Sequence, residues 1–240
     1  MRLADVLGSV VVDVDGREVG DVGDLWLAQD AAPIGPFGAS LRIDVLVIGR
    51  FGLASRAGYD RDGIQGPAPI AWWFHRRTAN RPVASWSDVA AVEEGRIRLR
   101  GRVEDLDRPR SIHEALEGAK HWSAGLQLLD RQLVDRDGRM AGKVDDLELG
   151  FHDDGPPVVT AILAGPGALA RRIGGRFGAW IASVHARLHP EEGGPARISF
   201  GVVARIDDHV TLTVSREDVD TYRAERWVAE HVIGRIPGAR

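Results

Sequence analysis

The motif VDVDGREVGDVGDLWL at residues 12–27 returns as VDRDGRMAGKVDDLEL at residues 134–149. Ten of the 16 aligned positions are identical, whereas unrelated segments would share about one. In each copy an Asp-Gly pair separates two short apolar runs, which predicts a tight β-hairpin because Asp-Gly accepts the positive φ angles of such turns. The sequence therefore predicts a duplicated β domain that opens with a hairpin.

The similarity continues beyond the hairpins. LRIDVLVIG, ending at Gly49, aligns with VVTAILAG, ending at Gly165. Each copy then ends in a similar strand pair, WSDVAAVEEGRIRL from Trp86 and FGVVARIDDHVTL from Phe200. Short β-branched runs of this kind are typical of buried strands. Several short strands with regular turns favour a small barrel or sandwich over an α/β sheet.

Four segments follow from this alignment. We expect a first repeat over residues 1–100, a helical linker over 101–123, a second repeat over 124–219 and a C-terminal helix over 220–240. Ser111 and Glu114 form a capping box that predicts the helix of the linker. An apolar stripe at helical spacing predicts the C-terminal helix.

The hairpin signature, the buried central strand and the closing W/F-x-x-V strand pair resemble the PRC-barrel family, and the resemblance covers most of both halves. It implies a mainly β protein with accessory helices, built from two tandem small six-stranded β-barrels. Members of that family act as docking or assembly modules rather than as enzymes. Such a barrel is found in the reaction-centre H subunit and in a ribosomal-RNA maturation factor. This sequence lacks the membrane helix of the first protein and any recognisable partner domain of the second, so neither specific role is carried over.

Composition excludes several classes of function. The chain has no cysteine, which excludes disulfides and thiolate catalysis and fits a reducing compartment. The formal net charge is −4, so there is no overall positive field for non-specific nucleic-acid binding. No apolar run reaches the length of a membrane span, and the first apolar run is interpreted as a strand rather than a signal peptide. We therefore expect a cytoplasmic protein, with a peripheral membrane location as the alternative.

No catalytic, cofactor-binding or metal-binding residue is predicted, and no cofactor is expected. The acidic hairpins lack the further ligands of a calcium loop and are interpreted as turns. His185 and His189 lie at helical i, i+4 spacing, but Pro190 interrupts the helix and no H-E-x-x-H pattern accompanies them. The glycine loops after Gly49 and Gly165 lack the context of a phosphate site and are interpreted as strand-to-helix turns.

Two insertions of about 30 residues lie at the same position of the repeat, between the central and closing strands. Residues 63–87 and 158–190 contain no acidic residue, and their arginines contribute +3 and +4, so the rest of the chain carries −4 − 7 = −11. The second insertion is predicted to be a basic amphipathic helix. The predicted partner-binding residues are aromatic and basic residues of the insertions, with Trp227 from the C-terminal helix: Trp72, Trp73, Phe74, Arg76, Arg77, Arg171, Arg172, Arg176, Trp180 and Trp227.

These patterns favour a non-enzymatic adaptor or assembly module that binds a partner protein through its insertions. The alternatives are an RNA- or ribosome-associated maturation module, because aromatic and arginine side chains stack on bases and pair with phosphate, and a peripheral membrane-surface scaffold. The second insertion could also pack on its own barrel. The helix predicted for the second insertion has a ridge of small residues: Ala170, Gly174, Gly178 and Ala182. Such a ridge lets two helices pack closely, so it predicts that the chain can form a homo-oligomer.

Overall fold

The computed structural model describes residues 1–49, 81–151, 155–165 and 196–219. Within these ranges the chain is mainly β, as the sequence predicts. The strands in chain order are β1 (Val10–Val12), β2 (Glu18–Pro33), β3 (Ala39–Gly49), β4 (Val83–Ser85), β5 (Val89–Glu93), β6 (Arg96–Leu99), β7 (His121–Ser123), β8 (Gln132–Val134), β9 (Met140–Lys143), β10 (Asp146–Gly150), β11 (Val158–Ala164), β12 (Ala196–Ser199), β13 (Val203–Ile206) and β14 (Val210–Leu212).

Helical structure in the described ranges is short. It consists of one α-helix, α1 (Leu3–Val6), five 3₁₀ turns at Gly35–Phe37, Trp86–Asp88, Val103–Asp105, Ile112–Ala115 and Phe200–Val202, and a π-helical turn at Ala124–Leu128. The linker helix predicted from the capping box is thus a single 3₁₀ turn, with Ser111 as its N-cap accepting a hydrogen bond from the His113 amide. The predicted C-terminal helix at 220–240 lies outside the described residues.

The chain folds into two compact units. Unit 1 comprises Met1–Ala32, Ala39–Leu128 and Leu149–Val158, and unit 2 comprises Pro33–Gly38, Leu129–Glu148 and Val159–Arg240. Both units are therefore discontinuous in sequence, whereas the alignment predicts contiguous repeats. The two short segments, 33–38 and 149–158, both connect the hairpin of a repeat to its central strand, and the second extends from the end of β10 to the first residue of β11.

In unit 1 the strand order is β5-β6-β1-β2-β3-β4, with β7 pairing on β2. Neighbouring strands are antiparallel in the β1–β2, β5–β6 and β3–β4 pairs, and β1 runs parallel to β6. The first and last strands of this path, β4 and β5, follow each other in the chain through the 3₁₀ turn at Trp86–Asp88. Hydrogen bonds between the described strands leave the sheet open rather than closed into a barrel.

Unit 2 repeats this pattern. Its four-stranded sheet has the order β13-β14-β8-β9, with β14 parallel to β8 and the other two pairs antiparallel. The register shifts between Leu133 and Val134, as it does between Val11 and Val12 in unit 1. This strand order equals β5-β6-β1-β2, so the duplication seen in the sequence is also a duplication of strand order and of a β-bulge.

The core of each unit is formed by apolar side chains that alternate with exposed ones along the strands. In unit 1, β6 shows this directly, because Ile97 and Leu99 are buried while Arg96 and Arg98 are exposed. Fully buried large side chains of unit 1 are Leu3, Leu25, Leu27, Leu41, Ile43, Leu46, Ile48, Ile97 and Leu99. Those of unit 2 are Leu133, Leu147 and Phe200.

Candidate functional site

All ten predicted partner-binding residues lie outside the described residues, in 50–80, 166–195 and 220–240. The same holds for His185, His189 and the small-residue ridge. Their roles stay predictions. Polar features of the described residues include a buried aspartate in each hairpin and a charged cluster that joins the linker to the strands of unit 1.

The hairpin of unit 1 is held by Asp13, which is 1% exposed. Its Oδ1 atom accepts hydrogen bonds from the amides of Asp15, at 3.0 Å, and Arg17, at 2.9 Å. Gly16 has a φ of +80°, which a glycine adopts without the steric cost that a side chain would bring. The Asp-Gly turn predicted from the sequence is confirmed, and the carboxylate two residues before it completes the turn.

Unit 2 uses Asp135 in the same way. Its Oδ1 atom accepts from the amides of Asp137, at 2.9 Å, and Arg139, at 2.8 Å. Its Oδ2 atom accepts from the amide of Arg216, at 3.1 Å, in the segment that follows β14. Asp135 therefore ties the opening hairpin to the end of the closing strand pair.

Both aspartates are held as carboxylates. Burial raises the pKa of Asp13 and of Asp135, but hydrogen bonds from backbone amides outweigh it, so both pKa values lie below the ordinary one. Both oxygens of Asp135 accept from backbone amides, whereas in Asp13 only Oδ1 accepts and Oδ2 is buried without a hydrogen-bond partner. The first aspartate of each V-D-x-D-G motif is thus explained by the hairpin itself.

The charged cluster of unit 1 consists of Asp30, Arg42, Asp44 and His121. Arg42 forms a bidentate ion pair with Asp30, at 2.6 and 2.7 Å, and a third charged hydrogen bond to Asp44 at 2.6 Å. The other oxygen of Asp44 lies 2.8 Å from Nε2 of His121. Two carboxylates, a guanidinium and an imidazole are therefore linked in a row across β2, β3 and β7.

Electrostatics in the cluster favour charged side chains. The hydrogen bond to Asp30 is the main cause that raises the pKa of Arg42. Burial raises the pKa of Asp44, but hydrogen bonds from His121 and Arg42 outweigh it, so its pKa lies below the ordinary value. Asp44 is 22% exposed and the side chain of His121 is 5% exposed, which reduces the screening of their interaction by water.

A second polar contact holds the same strand. Oδ2 of Asp24 accepts from the hydroxyl of Ser123, and Oδ1 of Asp24 accepts from the amide of Gly125 at 2.8 Å. The Ser123 hydroxyl thus donates to the Asp24 carboxylate, and the hydroxyl oxygen in turn accepts from the Leu126 amide at 2.9 Å. These bonds fix the turn after β7.

Apolar contacts complete the attachment of the linker. Trp26, Val45, Val47 and Val83 form a buried cluster in unit 1, and the partly buried Ile112, Ala115 and Leu116 pack against it. The ring of His113 meets Trp26 edge to face, with centroids 5.7 Å apart. The linker segment, residues 101–123, is therefore part of unit 1.

In the part of the chain that the structure describes, no group of three or more His, Cys, Asp or Glu side chains is arranged to hold a metal ion. No helix among the described residues is both long and apolar enough to cross a bilayer.

The ion pairs and hydrogen bonds of the charged cluster attach the linker segment to the strands of unit 1.

Sequence reasoning missed the charged cluster because its partners are far apart in the chain. Asp44 and His121 are separated by 77 residues. One signal was available, since Arg42 and Asp44 interrupt an otherwise apolar strand, and the aligned residues of the second copy are Val158 and Thr160. When only one of two aligned strands carries charged residues, as β3 does and β11 does not, the charges indicate a contact that only that copy makes.

A scan against protein-family models finds no match for this chain, and a search of curated proteins finds no significant similarity.

Proposed function

We propose that the chain is a pair of tandem PRC-barrel-like domains that acts as a non-enzymatic adaptor or assembly module. Its partner is a protein, bound through the basic and aromatic insertions between β3 and β4 and between β11 and β12. The observation that carries this proposal is the equivalent placement of the two insertions on paired strands.

Each insertion connects two strands that are antiparallel neighbours. In unit 1, Val45 pairs with Ser85 and Val47 pairs with Val83. In unit 2, Ala161 pairs with Ser199 and Leu163 pairs with Arg197. Under the alignment of Gly49 with Gly165 these registers are the same, so each insertion begins and ends at the same point of its unit.

The strand order supports the barrel part of the proposal. β4 leads into β5, and β12 leads into β13, through a three-residue 3₁₀ turn in each unit. Each turn has a serine N-cap, Ser85 or Ser199, whose hydroxyl accepts from the amide two residues later. A six-stranded path whose end strands are joined by so short a turn must curve strongly, as small barrels do.

The charge distribution supports the binding part. The two acid-free stretches carry +7 in total, against −11 for the rest of the chain. Segregated positive charge with aromatic side chains favours an acidic protein surface as the partner, because complementary charge guides association and aromatic residues contribute most contact energy.

Capture from a native lysate, with the tagged full chain and with chains lacking either insertion, tests this proposal. Short glycine-rich turns can replace the insertions because the flanking strands are already paired. We expect one protein to be enriched about tenfold or more by the full chain, to persist after nuclease treatment and to be lost from the deleted chains. Equal enrichment without the insertions, or loss on nuclease treatment, would contradict a protein-binding role, and the latter would favour RNA.

A further inference from the structure

The 3₁₀ turns at Trp86–Asp88 in unit 1 and Phe200–Val202 in unit 2 have the same local structure. Each has a serine N-cap, and the amide after each turn donates to the carbonyl of its aromatic residue. The last carbonyl of each turn accepts a 2.8 Å hydrogen bond from the amide of the residue directly after β6 or β14. Trp86 and Phe200 are therefore equivalent residues of the two units.

In unit 2 the aromatic residue of this turn is covered by a proline- and glycine-rich segment, Pro33–Gly38. The Phe37 ring meets the Phe200 ring edge to face, with centroids 5.4 Å apart. Gly35 lies so close to the turn that a β-carbon on it would overlap the carbonyl oxygen of Gly201. A glycine and an aromatic residue two positions later thus fit this turn together.

The connection that contains this segment is shorter in the second repeat. Leu27 and Arg42 are 15 residues apart, whereas the aligned Leu149 and Val158 are 9 apart. The difference equals the length of Pro33–Gly38. Among the described residues, no aromatic ring packs against Trp86 as Phe37 packs against Phe200.

The exposure of the two turns differs in the same sense. The turn at Gly35–Phe37 packs against the turn of unit 2 and against β13, to which Ile206 belongs. Phe200 is 1% exposed and Ile206 is 3% exposed. The aligned residues of unit 1, Trp86 and Val92, are only half-buried. Unit 1 therefore presents an apolar surface at the place that Pro33–Gly38 covers in unit 2.

The centre of the turn in unit 1 is compatible with a similar segment. Ser87 stands where unit 2 has Gly201. A β-carbon on Gly201 would lie 3.4 Å from the Ser199 hydroxyl oxygen and 3.6 Å from Cγ1 of Ile34, which are ordinary contact distances. The exposed Arg100 donates from Nε to the Ser87 carbonyl at 3.2 Å. Tryptophan and arginine, side by side here, are the residue types that contribute most to protein interfaces.

We propose that the turn at Trp86–Asp88 is a docking site for a partner protein that presents a turn of the Pro33–Gly38 type. Such a turn has prolines, a glycine at positive φ and an aromatic residue two positions after that glycine. The aromatic ring of the partner packs edge to face on Trp86, as Phe37 does on Phe200. This site is additional to the proposed binding through the insertions, and its test does not depend on them.

A synthetic peptide with the sequence of residues 32–39, APIGPFGA, probes the site in the full chain. With para-fluorophenylalanine as its aromatic residue, fluorine NMR follows its binding to the unmodified chain and to variants. We expect saturable binding with a Kd on the order of 1 mM, because one short turn buries little surface. The indole N–H signal of Trp86, identified by its loss in Trp86→Phe, should shift on saturation, which places the peptide on unit 1.

Trp86→Phe should keep the Kd within about threefold, because phenylalanine has this place in unit 2, and Trp86→Ala should weaken binding by about tenfold or more. Leu126→Ala is the matched control, since it removes another exposed apolar side chain of unit 1, and should bind as the unmodified chain does.

The peptide variant Gly35→Ala should not bind measurably, because its β-carbon would overlap the turn. An unshifted Trp86 indole signal, or equal binding of the alanine peptide, would overturn the proposal even if Trp86→Ala does not fold. Undiminished binding by folded Trp86→Ala would overturn it as well.

Discussion

At the scale of single residues, Asp13 and Asp135 illustrate how a buried carboxylate fixes a hairpin. Each accepts two amide hydrogen bonds from its own turn. Since the pKa of each is lowered in the folded chain, the unfolded chain binds protons more readily. The resulting stabilisation is present above the ordinary aspartate pKa and is lost as the pH falls through the folded-state value.

We therefore expect Asp135→Asn to unfold at lower denaturant concentration near neutral pH and to lose less stability than the unmodified chain on acidification below about pH 4. Urea titrations at several pH values check this. Asp137→Asn is the control, because the Asp137 side chain is exposed and its carboxylate lies 3.9 Å from the Arg136 guanidinium. Parallel pH profiles for the Asp135 variant and the unmodified chain would show that this carboxylate does not stabilise the fold.

Gly35 illustrates a backbone constraint in unit 2. Its φ is +62°, and a β-carbon there would overlap the carbonyl oxygen of Gly201. Alongside it, the rings of Phe37 and Phe200 meet edge to face with centroids 5.4 Å apart. Residues 33–38 therefore pack into unit 2 by a close backbone contact and an aromatic pair.

Gly35→Ala should destabilise the chain by about 3 kcal/mol, since it adds both backbone strain and steric overlap. Gly138→Ala isolates the strain, because Gly138 has a φ of +79° with open space around it, and should cost only about 1 kcal/mol. Chemical denaturation measures both values. Equal losses for the two variants would argue against the close approach at Gly201.

At the scale of elements, the linker segment is held by both polar and apolar contacts. Ile112 belongs to its 3₁₀ turn and packs against the cluster of Trp26, Val45, Val47 and Val83. Ile112→Ala should therefore cost about 1–2 kcal/mol of unfolding free energy, less than a fully buried site. Leu126→Ala is the control, because Leu126 is 41% exposed and its loss should stay within about 0.5 kcal/mol. Thermal denaturation of the two variants distinguishes a packed linker from a loose one.

The elements also show what the sequence could predict. The central strands, predicted from LRIDVLVIG and VVTAILAG, are found at Ala39–Gly49 and Val158–Ala164. They were predictable because β-branched periodicity is a local signal. β7 could not be predicted from the sequence, because its pairing with β2 and the hydrogen bond between His121 and Asp44 join residues far apart in the chain. The linker helix was overestimated because a capping box marks where a helix starts and not how long it continues.

At the scale of the whole molecule, the internal repeat predicted a duplicated β domain, and the two units share the strand order β5-β6-β1-β2 and β13-β14-β8-β9. Residues 33–38 belong to unit 2 and residues 149–158 to unit 1. An alignment of two copies cannot show this, because a segment at the same place in each copy aligns equally well whichever unit it packs in. The candidate partner-binding residues remain a prediction from charge and aromatic patterning.

Reversing the charge of one insertion tests whether the insertions bind a partner protein. Replacement of Arg171, Arg172 and Arg176 with glutamate should reduce recovery of the captured partner by about a hundredfold, because each arginine facing an acidic surface contributes on the order of 1 kcal/mol. The control reverses the same charge at exposed arginines elsewhere: Arg96, Arg108 and Arg110.

Quantitative mass spectrometry of the captured partner, with unfolding midpoints measured in parallel, gives the decisive comparison. If the insertion binds the partner, the insertion variant should lose the partner while its unfolding midpoint and the control's recovery stay close to those of the unmodified chain. Undiminished recovery by the insertion variant, or equal loss in both variants, would contradict binding through the insertion.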